Sequence, residues 1–123
     1  MGKTALIVDD SRTMRQMVSF TLTNAGFTVI EAEHGVDAVS KVAGGPKMDI
    51  VVTDLNMPEM DGITLIKELR KLETFKFTPI LMLTTESAME KKQEGKAAGA
   101  TGWIVKPFNP DVLLKTIAKV LPA

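Results

Sequence analysis

The sequence alternates short apolar runs with segments whose apolar residues recur every three or four positions. The runs have the length and composition of buried strands and lie at residues 5–8, 28–32, 49–54, 79–84 and 102–105. The segments between them are predicted to be helices and lie at residues 11–25, 37–43, 63–72, 87–98 and 110–121. The helix at 87–98 has the weakest signal, since it is polar along much of its length. Repeated strand–helix units of this kind predict a five-stranded parallel sheet with helices on both faces.

The strands are apolar almost throughout, as expected for a parallel sheet that is covered on both sides. Helix boundaries are also readable, because Ser11 is a good N-cap for the first helix and Gly26 a good stop. We therefore expect an open, doubly wound α/β fold of the flavodoxin-like type, with strand order 2-1-3-4-5. The 123 residues suit one such domain, and no linker or repeat divides them.

Composition excludes several classes of function. Lys plus Arg and Asp plus Glu both number 15, so the net charge is zero, which argues against a nucleic-acid-binding protein. The absence of cysteine excludes disulfides and thiol chemistry and is compatible with the cytoplasm. The N-terminus has too few apolar residues for a signal peptide or a membrane span. We expect a cytoplasmic monomer that binds neither nucleic acid nor membranes.

Polar side chains follow four of the predicted strands, where ligands bind in sheets of this type. Asp9 and Asp10 come directly after the first strand, and Asp54 ends the third. Thr84 ends the fourth strand, and Lys106 follows the fifth. Because the carboxyl ends of parallel strands lie at one edge of the sheet, we expect three carboxylates, a hydroxyl and an ammonium group to meet there.

This set of side chains favours phosphoryl transfer assisted by a divalent metal ion. Three neighbouring carboxylates repel one another unless a cation compensates, and their oxygens suit Mg²⁺, with Mn²⁺ as a substitute. Zinc is a poor candidate, since the chain has no cysteine and its one histidine, His34, follows a different strand. A carboxylate nucleophile, a lysine and a hydroxyl group can together hold and receive a phosphoryl group.

Each feature also has a simpler explanation. Asp10 or Ser11 could serve only as a helix cap, and Lys106 with Pro107 could form only a turn before the last helix. It is their coincidence at one edge of the sheet that favours a site. His34 has no chemical partner in the pattern, and we expect it to be an exposed loop residue.

Four segments together resemble the signature of response regulator receiver domains. They are ALIVDDS (5–11), DLNMPEMDG (54–62), PILMLTTE (79–86) and GWIVKPF (102–108). The resemblance extends over essentially the whole chain and is strongest to stand-alone chemotaxis regulators of the CheY type. It implies a CheY-like fold and a single receiver domain over residues 1–123, with no output domain.

The resemblance assigns roles to the residues at the predicted edge. Asp54 would be the phosphoacceptor. Asp10 and Asp54 would ligate Mg²⁺ directly, Asp9 would act largely through water, and the backbone carbonyl of Asn56 would complete the protein ligands. Lys106 would hold a phosphate oxygen.

The resemblance also implies a conformational switch. Thr84 would move toward the phosphate and Trp103 would swing inward behind it, with a cis peptide bond between Lys106 and Pro107. The chain departs from the family pattern here, because Trp103 stands where tyrosine or phenylalanine is usual. Thr85 likewise replaces a small residue.

Dephosphorylation is tuned in this family by the positions that Asn56 and Glu86 occupy. Both residues are polar and could admit or orient an attacking water, so we expect a short-lived phosphoryl group.

The partners implied are a histidine kinase as phosphodonor and a protein that reads the fourth helix, fifth strand and fifth helix. The flagellar motor switch is one such output partner, and a phosphatase would be a further partner. The protein would catalyse its own phosphorylation and dephosphorylation without turning over a metabolite. A phosphate-sink or phosphorelay role, separate from the motor, is an alternative.

Three other classes fit less well. A phosphatase of the haloacid-dehalogenase kind needs a second aspartate where this chain has Asn56. A flavin-binding electron carrier needs a phosphate loop where Asp9 and Asp10 would repel the cofactor. A docking module that is never phosphorylated would not need the full set of site residues.

Overall fold

The structure is a computed structural model that describes residues 3–42, 47–55, 60–84, 89–105 and 109–121. The strands are β1 (Thr4–Val8), β2 (Thr28–Ala32), β3 (Ile50–Asp54), β4 (Ile80–Thr84) and β5 (Gly102–Val105). The helices are α1 (Arg12–Asn24), α2 (Gly35–Val42), α3 (Gly62–Arg70), α4 (Met89–Ala98) and α5 (Pro110–Val120). All strand pairs are parallel and the order is β2-β1-β3-β4-β5, so the predicted fold class and topology are confirmed.

Among the described residues, two helix boundaries differ by two residues from those predicted, and the others differ by no more than one. Helix α2 begins at Gly35, two residues early, because the Asp37 amide donates to His34 Nδ1 at 3.2 Å and so caps the first turn. His34 therefore lies in the loop between β2 and α2, as predicted, but it is a half-buried capping residue, and the prediction that it is exposed was wrong. Helix α3 ends at Arg70, where i to i−3 hydrogen bonds tighten the chain into a short 3₁₀ helix, Glu73–Phe75, that was not predicted.

The core has two layers, one on each face of the sheet. Successive residues of each central strand alternate between the layers, as Ala5 and Leu6 do in β1. One layer packs the sheet against α2, α3 and α4, and the other packs it against α1 and α5. Both faces of β1, β3 and β4 are thus buried, which explains why these strands are apolar throughout.

Arg70 joins three segments at the amino-terminal side of β4. Its Nη1 donates to the carbonyl oxygens of Phe75 at 2.6 Å and Thr78 at 2.7 Å, and its Nη2 donates to that of Gly99 at 2.7 Å. A Cβ atom at Gly99, whose φ is +116°, would lie 2.9 Å from the Arg70 Nε. The end of α3, the start of β4 and the turn after α4 are therefore held by one guanidinium group.

Helices long and apolar enough to cross a membrane do not occur among the described residues.

Candidate functional site

The predicted site residues lie at the carboxyl edge of the sheet, where the direction of winding changes. β1 and β3 are neighbours, but the chain leaves β1 toward β2 and leaves β3 toward β4. The helices that follow these two strands pack on opposite faces, which opens a crevice between the strand ends. Asp9 directly follows β1, Asp54 is the last residue of β3, and Thr84 is the last residue of β4.

Three carboxylates meet in this crevice. Asp9, Asp10 and Asp54 each offer one oxygen, and these oxygens all lie within 4.8 Å of one another. The Asp9 and Asp54 side chains are buried, at 2% and 6% exposure, whereas Asp10 is exposed. Buried carboxylates at this spacing need a compensating cation, and an all-oxygen set with one open side fits Mg²⁺. The sequence-based expectation that these three residues lie together is met by the geometry.

Backbone groups fix two of the carboxylates in place. Asp54 Oδ1 accepts a hydrogen bond from the Leu55 amide at 2.9 Å, and Asp9 Oδ1 accepts one from the Ser11 amide at 2.8 Å. Ser11 also caps α1, since its Oγ accepts from the Met14 amide at 3.3 Å. The cap of α1 is thus Ser11 and not Asp10, whose carboxylate belongs to the acid cluster.

Gly62 brings the start of α3 against the backbone of Asp54. The Gly62 amide donates to the Leu55 carbonyl at 2.8 Å, and a Cβ atom at this position would lie 2.4 Å from the Asp54 carbonyl oxygen. Asp61, the residue before it, is the N-cap of α3 and accepts from the Thr64 amide at 2.8 Å. The glycine is needed because the helix approaches the strand end too closely for any side chain.

Arg15 is a neighbour of the site that the sequence analysis missed. Its side chain is only 12% exposed, and its Nη1 donates to the Asp9 carbonyl oxygen at 2.8 Å. Its Nε lies 3.3 Å from Glu31 Oε1 on β2. The one signal in the sequence is spacing, because Arg15 comes one helical turn after the cap Ser11 and can reach back over it.

Trp103 of β5 lies beside α4, and its half-buried ring packs against the core layer on that face. The Lys92 Nζ lies 5.0 Å from the centre of the ring. Helix α4 comes close here because Gly95 has no side chain; a Cβ atom there would lie 3.0 Å from Met82 Cε and 3.8 Å from Trp103 Cζ3.

Thr84 is buried, at 2% exposure, at the carboxyl end of β4. Four predicted site residues, Asn56, Glu86, Lys106 and Pro107, lie outside the described residues.

The fold and the acidic crevice together define a doubly wound α/β domain with a candidate cation site at its topological switch point. The family model of the response regulator receiver domain matches residues 5–118. The chain is 44% identical over 117 residues to the chemotaxis protein CheY1 of Helicobacter pylori, a match that covers 94% of each chain. This chain belongs to the response regulator receiver family, as the resemblance predicted, and its relatives are of the CheY chemotaxis type.

Solved structures agree with this assignment. The chemotaxis protein CheY4 of Vibrio cholerae is 53% identical and matches with a TM-score of 0.94, covering 98% of this chain and 100% of that one. The response regulator TrrA of Thermotoga maritima, whose structure is a complex with Mg²⁺ and BeF, is 32% identical with a TM-score of 0.84, over 97% and 99% of the chains. Receiver domains are signalling proteins of two-component systems, so the chain is not a metabolic enzyme.

Proposed function

We propose that this chain is a signalling switch that accepts a phosphoryl group on Asp54 from a histidine kinase. The observation that carries the proposal is the position of Asp54, which ends the central strand β3 within 4.8 Å of two further carboxylates. Its Oδ1 is oriented by the Leu55 amide, and its backbone is held against the first residue of α3. A carboxylate that is both buried and oriented suits a nucleophile better than a solvated surface aspartate would.

Mg²⁺ is the cofactor that the donor set favours. Asp10 and Asp54 would bind it directly, Asp9 largely through water, and Asn56 through its backbone carbonyl, with Mn²⁺ as a substitute. Bound there, the ion would neutralise charge on the oxygens of the transferring group. The complex of TrrA with Mg²⁺ and BeF, a relative at 32% identity, supports this assignment.

The protein contributes to phosphoryl transfer mainly by positioning the reacting groups and by stabilising the charge on the phosphoryl oxygens. An Asp54 carboxylate oxygen attacks the phosphorus of a phosphohistidine, an O–P bond forms, and the N–P bond breaks as the histidine leaves. Lys106 would bind a phosphate oxygen. Water later cleaves the acyl phosphate, and the polar residues Asn56 and Glu86 would make this step fast. A phosphoryl group that persists for many hours in Mg²⁺ buffer would contradict that part of the proposal.

The phosphoryl group would be read on the face formed by α4, β5 and α5. Thr84 would move toward the phosphate, and Trp103 would follow it inward, which would change the surface beside α4. An open cavity lies between α4 and β5, lined by Lys92, Lys96 and Trp103 among other residues. We propose a protein partner in chemotaxis, such as the flagellar motor switch, and a cytoplasmic, monomeric protein.

The test is phosphorylation by acetyl phosphate in Mg²⁺ buffer, followed by intact mass and peptide mapping. The wild-type chain is expected to gain one phosphoryl group on Asp54, and Asp54→Asn to gain none. Asp61→Asn is the matched control, because asparagine caps a helix as well as aspartate does and Asp61 lies outside the acid cluster. Labelling of Asp54→Asn at His34 or elsewhere would overturn the assignment.

The output is tested by comparing the proteins that bind with and without beryllofluoride, an acyl phosphate mimic. Binding of a motor switch protein only in the presence of beryllofluoride is expected. Equal binding in both states would contradict a phosphorylation-dependent output, and binding of histidine kinases alone would favour the phosphate-sink alternative.

A further inference from the structure

Arg15 connects the acid cluster to the neighbouring strand. Its guanidinium donates from Nη1 to the Asp9 carbonyl oxygen at 2.8 Å, and its Nε lies 3.3 Å from Glu31 Oε1. Glu31 faces Arg15 from β2, where it pairs in register with Ile7 of β1. The two contacts use different nitrogens of one planar group, so the guanidinium holds two partners at a defined separation.

The carbonyl that Arg15 binds belongs to the peptide bond between Asp9 and Asp10. Fixing this oxygen therefore fixes the plane of the peptide that joins two of the three cluster carboxylates. Two further contacts hold Asp9: its amide donates to Ala32 O at 3.2 Å, and its carboxylate accepts from Ser11 N, across Asp10, at 2.8 Å. Of these three contacts, that of Arg15 is the one made to an atom of the Asp9–Asp10 peptide group itself.

Arg15 also carries a positive charge, which by itself would weaken the binding of a cation nearby. Glu31 lies within salt-bridge distance and offsets part of that charge. Loss of Arg15 therefore has two opposite effects on the affinity of the acid cluster for a cation. It would loosen the peptide between Asp9 and Asp10, and it would leave the Glu31 charge uncompensated beside the cluster.

We propose that Arg15 is a positioning residue that orients the Asp9–Asp10 peptide for Mg²⁺ and thereby sets the affinity of the acid cluster for the ion. The inference rests on the proposed function, since it assumes that the cluster binds Mg²⁺. Residues that orient metal ligands from outside the coordination shell typically change affinity by about 10- to 100-fold. Arg15 acts on the backbone and not on a carboxylate, so we expect an effect near the lower end, about 10-fold.

The experiment is calorimetric titration of the full chain with MgCl₂. Arg15→Met is expected to weaken Mg²⁺ binding about 10-fold, because the orientation of the peptide is lost. Arg15→Lys keeps the charge but cannot hold both partners through a rigid fork, so it is expected to weaken binding by a smaller factor. Arg12→Met is the matched control, since it removes the same charge from an exposed position one turn earlier in α1.

Whether Arg15→Met weakens or strengthens Mg²⁺ binding distinguishes a positioning role of Arg15 from an effect of its charge. If Arg15 acted only through its charge, Arg15→Met would bind Mg²⁺ more tightly and Arg15→Lys would be unchanged; either result overturns the inference. An unchanged affinity of Arg15→Met also overturns it. Failure of the wild-type chain to bind Mg²⁺ would instead refute the metal assignment of the proposed function.

A second measurement distinguishes a specific effect on Mg²⁺ binding from a general loss of folded structure. The rate of Asp54 phosphorylation is followed as a function of Mg²⁺ concentration, beside thermal unfolding of each variant. A positioning role predicts a higher Mg²⁺ requirement with a nearly unchanged maximal rate. A lower maximal rate at the same Mg²⁺ requirement contradicts it. If Arg15→Met does not fold, Arg15→Lys carries the same test.

Discussion

Replacement of Gly62 by alanine should produce a steric clash between the added methyl group and the backbone of Asp54. The added Cβ would lie 2.4 Å from the Asp54 carbonyl oxygen and 3.0 Å from the Leu55 Cα. The shorter distance is about 1 Å less than the 3.4 Å at which ordinary van der Waals contact begins. Both neighbours are backbone atoms of a buried strand end, so the start of α3 or the end of β3 must move.

The expected loss of stability follows from two opposing effects. Forcing an extra methyl group into a packed interior costs about 1–3 kcal/mol. Alanine at a helical position gains back about 0.4–1 kcal/mol, because it restricts the unfolded chain. The difference between the middles of these two ranges is a net loss of about 1.3 kcal/mol in the free energy of unfolding. For a domain of this size that corresponds to a fall in Tm of roughly 5 °C.

Thermal unfolding followed by circular dichroism measures the stability, and labelling with acetyl phosphate measures the effect on Asp54. Gly102→Ala is the matched control, because a Cβ atom there would meet Leu81 Cδ2 at an ordinary 3.5 Å and should change Tm little. We expect Gly62→Ala to be both less stable and more slowly phosphorylated than this control. A Gly62→Ala variant that melts no lower than wild type would refute the close approach of α3 to Asp54.

Three further predictions concern other parts of the molecule. Arg70→Met removes charged hydrogen bonds to the backbone carbonyls of Phe75 and Gly99 and should lower the free energy of unfolding by about 2 kcal/mol in urea titrations. The hydrogen bond from the Glu33 amide lowers the pKa of Asp37 in the folded protein. The ionised Asp37 carboxylate therefore stabilises the fold above about pH 4, and this contribution is lost as the pH falls through the pKa of Asp37 in the folded state. Asp37→Asn should therefore reduce stability at pH 7, and the reduction should become smaller as the pH falls below about 4. Lys92→Met should increase acrylamide quenching of Trp103, the one tryptophan, by removing the cation over its ring.

The architecture could be predicted because its signals are local. Each central strand is a run of four to six residues that is apolar enough to need burial on both faces, and most of the helices have a helical spacing of apolar residues. Parallel strands place their carboxyl ends at one edge, so the meeting of Asp9, Asp10 and Asp54 followed from topology alone. The short 3₁₀ helix at Glu73–Phe75 was missed, because such turns have no periodic signal of their own.

The contacts that support the site could not be predicted in this way. Arg15 and Glu31 are 16 residues apart, and they meet only because the register of β1 with β2 places Glu31 beside the first turns of α1. Likewise, the cap of α2 depends on the Asp37 amide reaching His34 Nδ1, a contact that no periodic pattern in the sequence indicated.

The sequence by itself determined the fold class, the edge of the sheet at which chemistry occurs and the carboxylates that meet there, because burial and chain direction follow from local pattern. Only the tertiary structure decided how those carboxylates are held. The approach of α3 that excludes a side chain at Gly62, and the guanidinium that fixes the peptide between Asp9 and Asp10, depend on distances between elements. Such distances are set by the packing of the whole domain and not by any one segment.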